Sequence, residues 1–314
     1  MISAASFPTP DLALRTADPD ELHRVTRFAD HQAAAATAAL PVLAGELRAA
    51  RSRDERVAAF TRTHEALVRW RAELAHATTR RLGTGLEHDA RRFTMTIRDG
   101  GANYDRLGYI GRLRENPSWD EETRTYRGGL VTPAHLIMLR YGRLALDRFT
   151  TEEHDGDTLR NPVTLPDGER ITGNTLVRGA AARDIAACLV ARIKQRGLDA
   201  TRIETGGEPL LYVVTAADAD RDRMFRVAMT ALADADHGDI GVWRAVRYLL
   251  YQAPVTKKGS DAVTRTFLVT VGTLLLGEPP VLEHDADLRC IVAGQAAASE
   301  SPASSGGTER TRAR

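Results

Sequence analysis

From Asp54 onward the apolar positions Val57, Phe60, Leu67, Val68, Trp70, Leu74 and Ala77, with His64 among them, recur about every 3.6 residues. This spacing predicts one long amphipathic helix ending near Gly83, with an arginine-rich face turned to solvent. Ahead of it, Asp18-Pro19-Asp20-Glu21 combines an N-cap, a proline at the first helical position and acids in the first turn. It predicts a helix running toward Leu40; Leu43, Leu47 and Ala50 predict a second, short one before a break at residues 52–55. A helix is expected around 86–98, with irregular structure after it through 130. Thr132-Pro133 then opens a helix with Leu136, Leu139, Leu144 and Leu146 toward the core. Asp167-Gly168 between short β-prone runs signals a hairpin. A buried helix over 179–195 and a strand over 210–215 follow, the strand because Leu-Leu-Tyr-Val-Val-Thr is short and rich in β-formers. Asp218 and Asp220 cap a helix carrying Met224, Val227, Ala228, Ala231 and Leu232. Two more helices are expected over 240–251 and 260–276, the last stopped by Gly277-Glu278-Pro279-Pro280. The pattern is mainly α with a few short strands and no internal repeat.

Composition narrows the classes. Of 314 residues 43% are hydrophobic, enough for a real core, and the net charge of +1 gives no global field for nucleic acid. No apolar run approaches the ~18 residues of a membrane span and no N-terminal signal is present, so a soluble, cytoplasmic protein without a membrane or nucleic-acid partner is expected. Cys188 and Cys290 sit in apolar settings and read as small core residues. Residues 1–18 carry prolines among small polar residues, and 296–314 are almost free of apolar ones; both ends are expected to be mobile.

Three lysines stand against forty arginines, and two of the three are adjacent, Lys257 and Lys258, before Gly259-Ser260-Asp261. Lysine is a compact point charge suited to a phosphate. A helix starting at Ser260 leaves its first amides free for the same anion, and Arg265 is placed to reach back toward it. Lys257, Lys258, Gly259, Ser260, Asp261 and Arg265 thus form a candidate phosphate- or nucleotide-binding set, although Ser260 or Asp261 can equally serve as a helix cap, and Lys-Lys-Gly as a solvated turn.

Residues 208–282 give a short strand, two helices, a Pro-containing basic loop, a helix opening on Gly-Ser-Asp with Arg265 inside it, and a Gly-Glu-Pro-Pro stop. This order resembles the Fic/Doc/AvrB superfamily, whose signature reads His-Pro-Phe-x-Asp/Glu-Gly-Asn-Gly-Arg-x-x-Arg. Pro254, Gly259, Ser260, Arg265, Gly277, Pro279 and Pro280 match that layout. The family's catalytic histidine falls on Ala253, its metal-holding acid on or beside Lys257 and Lys258, and its first arginine on Ala262, with one residue inserted. The resemblance implies a Fic-like helical core with a short β flap over 151–295, a helical N-terminal region over 19–150, and a nucleotide or nucleotide sugar as donor. The departures count against the family's histidine chemistry and against a metal, since a methyl group accepts no proton and lysines can neutralise phosphates unaided.

Other chemistry is thin. His237 lies among Asp234, Asp236 and Asp239, where cap and loop duties explain the acids. Tyr251 and Gln252 either contact a ligand or close the core. A histidine flanked by acids, as His237 is, can also serve as a base, and the catalytic residues are otherwise unassigned; no metal-binding spacing, nucleophile elbow or dinucleotide fingerprint is present. The expected function is a Fic-like transferase that modifies a hydroxyl on a protein or small molecule. The alternatives are a catalytically silent nucleotide-sensing or protein-interaction module, and a helical structural protein without a ligand.

Overall fold

The fold is seen in a computed structural model that describes residues 1–16, 18–77 and 89–299. The expected helix end near Gly83, the start of the expected 86–98 helix and most of the 296–314 tail lie outside the described residues. Asp18 opens α1 (Pro19–Thr26): its carboxylate accepts from the Asp20 amide at 2.8 Å, with Pro19 in the first turn. The chain breaks at Arg27 rather than near Leu40, and α2 (Phe28–Ala49) runs on through Pro41. A proline costs a helix one backbone donor, and here the turn beyond it is held by Leu43, fully buried in the core. α3 (Arg53–Ala77) is the long amphipathic helix of the sequence pattern.

Between α3 and residue 130 the structure departs most from expectation. In place of a helix over 86–98 there is a 3-10 turn at Ala90–Phe93 and a single turn, α4 (Ile97–Gly100). The stretch beyond is not irregular: it holds β1 (Tyr104–Gly108) and the hairpin β2 (Ser118–Asp120) and β3 (Thr125–Arg127). α5 (Pro133–Glu152) starts at Thr132, as expected, but buries a different face. Leu136 is exposed, while Ile137, Met138, Tyr141, Ala145 and Phe149 are buried, because α5 lies against β1 with Gly142 almost touching Gly108.

β4 (Thr158–Thr164) and β5 (Arg170–Val177) form the Asp167-Gly168 hairpin, with Gly168 at φ +86°. α6 (Gly179–Gln195) covers β6 (Leu210–Val214) with Ala182 and Ala186 only; the remainder of α6, Cys188 included, is exposed or half-buried, so it is no buried helix. The sheet order is β1-β6-β5-β4, antiparallel throughout, which makes β1 an edge strand. α7 (Asp218–Asp234), α8 (Ile240–Gln252), α9 (Ser260–Leu276), α10 (Ala286–Val292) and α11 (Gln295–Ser299) complete the chain. α9 is buried from Ala262 to Gly272 and packs on α2, α3 and α8, forming the centre of the largest apolar cluster. The molecule is mainly helical with a small antiparallel sheet. Among the described residues no helix is long and apolar enough to cross a membrane.

The N-terminus is not loose. Phe7 is fully buried, Ser6 O accepts from Leu282 N at 3.2 Å, and Leu14 O accepts from Ala134 N at 3.1 Å, which fixes where Arg15 stands. His64, on the apolar face of α3, is buried in the core, set edge-on to Phe225 and Phe267 at 5.0 and 5.4 Å. Burial pushes its pKa down from 6.5 to about 4. The unfolded chain therefore binds this proton more readily than the folded one, and stability is lost as pH falls from 6.5 toward 4. The loss expected is about 3 kcal/mol. Urea unfolding at a series of pH values checks this, and His64→Leu is expected to flatten that part of the profile.

Candidate functional site

The loop joining α8 to α9 is held from both sides. Gln252, at the end of α8, is completely buried; its Oε1 accepts from Asn174 N at 2.8 Å and its Nε2 donates to Cys290 O at 2.7 Å. Tyr251 is buried too, its hydroxyl 3.3 Å from Asp261, so both residues close the core. Residues 92–97 lie antiparallel along the loop: Ile97 N donates to Val255 O (3.0 Å), Lys257 N to Met95 O (2.9 Å) and Lys258 N to Arg92 O (3.0 Å). The turn into α9 requires Gly259, at φ +83°, where a Cβ would stand 2.7 Å from the Phe93 ring and 2.9 Å from the Arg71 stem.

The six residues singled out in the sequence do not all meet at one point. Ser260 turns its hydroxyl back to Thr256 O at 3.1 Å. Asp261 sits in the first turn of α9, where its carboxylate meets the positive end of the helix, and takes the Arg265 Nε at 2.8 Å. Arg265 is fully buried and points away from the lysines: its other nitrogens donate to Glu283 O (2.9 Å), His284 O (3.0 Å) and Asp287 (3.3 Å). Three methylenes and a guanidinium can reach in either direction from a helix, and spacing alone does not say which. Arg265 therefore locks α9 to residues 283–287, and Asp261 already places a carboxylate in the first turn of α9.

What gathers around the two lysines is a set of other cations. The Lys258 ammonium is pushed below its usual pKa by burial first, then by Arg92, Arg15 and Arg71, with Asp89 opposing. Lys257 is pushed down to about 8, again by burial first and then by Arg92 and Arg192, with Asp105 opposing. Arg15 and Arg92 are lowered in the same way, and Arg71 falls to about 10 through burial. Arg71 lies over the Phe93 ring at 4.3 Å and the Phe28 ring at 5.3 Å, with its Nε buried and unpartnered. Among the described residues, the side chains of Arg15, Arg92 and Lys258 have no hydrogen bond or ion pair. Lys257 keeps one N–H free, the other two donating to Gly101 O (2.6 Å) and Ala102 O (3.2 Å).

Arg15, Lys258 and Asp105 each retain exposed surface, yet burial leads the pKa shift of all three. The cations form a partly exposed cluster around the loop. Asp105, on β1, has its carboxyl pushed up by burial, with Arg92 and Lys257 pulling the other way. Asp89 is committed elsewhere, to Arg91 at 3.1 Å and Arg196 at 3.3 Å. Such a surplus of positive charge costs folding energy until an anion fills it.

Sequence reasoning missed Arg15, Arg71, Arg92 and Asp105. The one available signal was the Arg91-Arg92 pair; among forty arginines it carried no weight. His237 lies near Gly277 and Asp239 caps α8 through Val242 N at 2.9 Å, so that acidic cluster performs turn and cap duties. Among the described residues no group of three His, Cys, Asp or Glu side chains could hold a metal.

The pH response follows from Lys257. Its folded pKa lies below its unfolded value of 10.5, so folding disfavours its proton, and stability rises as pH climbs from about 8 to 10.5. Anion affinity falls over the same range as the charge is lost. With sulfate as the probe, because its own charge is constant, binding is expected to be several-fold weaker at about pH 9.5 than at about pH 7. Unchanged binding would remove Lys257 from the site. No protein-family model matches this chain, and no curated protein matches it.

Proposed function

We propose that the cation cluster of Lys257, Lys258, Arg92, Arg71 and Arg15 binds the phosphate of a nucleotide or nucleotide sugar. In this proposal the protein is a Fic-like transferase that passes part of the donor to a hydroxyl on a protein or small molecule. The observation that carries the phosphate reading is the convergence of cations, three of them without any partner among the described residues. The transferase reading rests on the resemblance of the strand, helix, helix, basic loop, helix order to the Fic/Doc/AvrB superfamily. Phosphate charge would be neutralised by side chains, so binding is expected to be indifferent to a chelator.

A second reading, a catalytically silent nucleotide-sensing or interaction module, is favoured by one position. Ala253, which stands where the family carries its base, is buried and has no proton-accepting group. A thermal-shift screen against nucleotides and nucleotide sugars tests the common part, because a ligand that binds only the folded state raises Tm. Analysis of the hit for release of its leaving group then separates transferase from sensor. A screen without any stabilising nucleotide would contradict both.

A further inference from the structure

The outer side of α6 borders a cavity of about 510 Å³, within the range of small-ligand sites. Ala186, Ala187, Val190 and Ala191 form its floor, Arg183 and Lys194 flank the floor along the helix, and Thr205 lines it from another segment. The α6 positions recur every three or four residues and so share one face. Three methyls and one isopropyl leave open space above the helix backbone. Arg183 and Lys194 stand about three turns or 16 Å apart along the axis.

The Thr205 wall is fixed before any ligand arrives. Beyond α6 the chain turns at Gly197, at φ +70°, and comes back through residues 199–205. Thr205 N donates to Arg124 O at 3.1 Å, and Gly206 N donates to the same oxygen at 3.0 Å. Glu204 beside it is buried, its carboxylate accepting from Gly111 N (2.7 Å), Arg112 Nη1 (3.1 Å) and the Thr125 hydroxyl. Arg106 holds the same stretch from behind, donating to Glu204 O at 2.9 Å and to Gly206 O. A site with one wall on a helix and the other so anchored is preorganised.

No carboxylate lines the cavity. Among the described residues, the side chains of Arg183, Lys194 and Thr205 make no hydrogen bond and no ion pair. Two other cations of this region are committed: Arg192 lies over the Tyr104 ring at 4.9 Å, and Arg196 meets Asp89 at 3.3 Å. An apolar floor between two uncommitted cations is complementary to an anion with an apolar body. The chain of such a ligand covers the methyls, and its charged end meets a guanidinium or an ammonium.

We propose that this cavity binds an amphipathic carboxylate, its aliphatic chain lying along Ala187, Val190 and Ala191 and its carboxylate held by the flanking cations. The site shares no residue with the cation cluster around Lys257 and does not rest on the phosphate reading.

Calorimetric titration of the full chain with decanoate, decanol and acetate, each below the concentration at which it aggregates, tests it. Decanoate is expected to bind about 5-fold or more tightly than decanol, the scale of an exposed ion pair, and acetate to give no measurable binding. In the double variant Arg183→Gln, Lys194→Gln the preference for decanoate is expected to fall to about 1. Ala187 is exposed, so Ala187→Trp fills the cavity without entering the core; it is expected to abolish decanoate binding while urea unfolding stays near that of the wild type. Should that variant not fold, Ala191→Trp, at an equally exposed position, takes its place. Equal binding of decanoate and decanol by the wild type, or decanoate binding retained in a folded, filled variant, overturns the site. Failure of decanoate to bind the wild type overturns it as well, and leaves this face to a protein partner or to solvent.

Discussion

Replacing Lys257 and Lys258 together by alanine is expected to abolish phosphate binding while the protein remains folded. Each lysine brings a full charge to the cluster, and charged hydrogen bonds to a phosphate are worth about 1.5–3 kcal/mol apiece. Losing both should weaken binding by about 100-fold or more. Folding should survive because the Lys258 side chain has no partner among the described residues and Lys257 bonds carbonyls next to exposed Gly101, which water can serve instead. Removing two like charges from a crowd of arginines also relieves repulsion, so stability should be unchanged or slightly higher. Phosphate calorimetry beside urea unfolding of the same variant reads both effects. Binding retained in a folded double variant would reduce the loop to a plain turn.

Arg265→Ala is expected to have the largest effect on stability. The guanidinium is fully buried and ties Asp261, Asp287 and the carbonyls of residues 283 and 284 to α9. Without it the buried Asp287 carboxylate and two carbonyls lose their partner, and the half-buried Asp261 loses its own. Removing one partner of such a network typically costs 3–5 kcal/mol. The loss has a pH signature. Burial, and then the nearby Asp261, already pushes the Asp287 carboxyl up against the pull of Arg265, and removing Arg265 raises it further. A carboxyl raised in the folded state favours folding when protonated, so the variant should be less destabilised in mild acid than at neutral pH. Unfolding curves at the two conditions decide it; a loss below about 1 kcal/mol at neutral pH would show that the network is not needed.

The helices α7, α8 and α9 and the β4–β5 hairpin were legible because their signals are local. Asp239 caps α8, Gly277 at φ +79° stops α9, and Gly168 turns the hairpin. Residues 89–130 were not legible because their form is imposed from far away: residues 92–97 pair with the 255–258 loop, and β1 pairs with β6. The face of α5 was misassigned for the same reason, its leucines counting for less than the close approach of Gly142 to Gly108. At the site, rarity exposed the two lysines, while Arg15, Arg71 and Arg92 were hidden by their abundance. Asp105 carried no sequence signal, since only the fold brings it to the lysines.

The most direct test of the proposed anion site is the position of a heavy anion. Crystals of the protein soaked in tungstate, examined by anomalous scattering, should show an ion within about 2.7–3.2 Å of the Lys258 ammonium and the Arg92 guanidinium, the range of a charged hydrogen bond. An empty site in a crystal where these residues face solvent, with tungstate bound elsewhere, would contradict it.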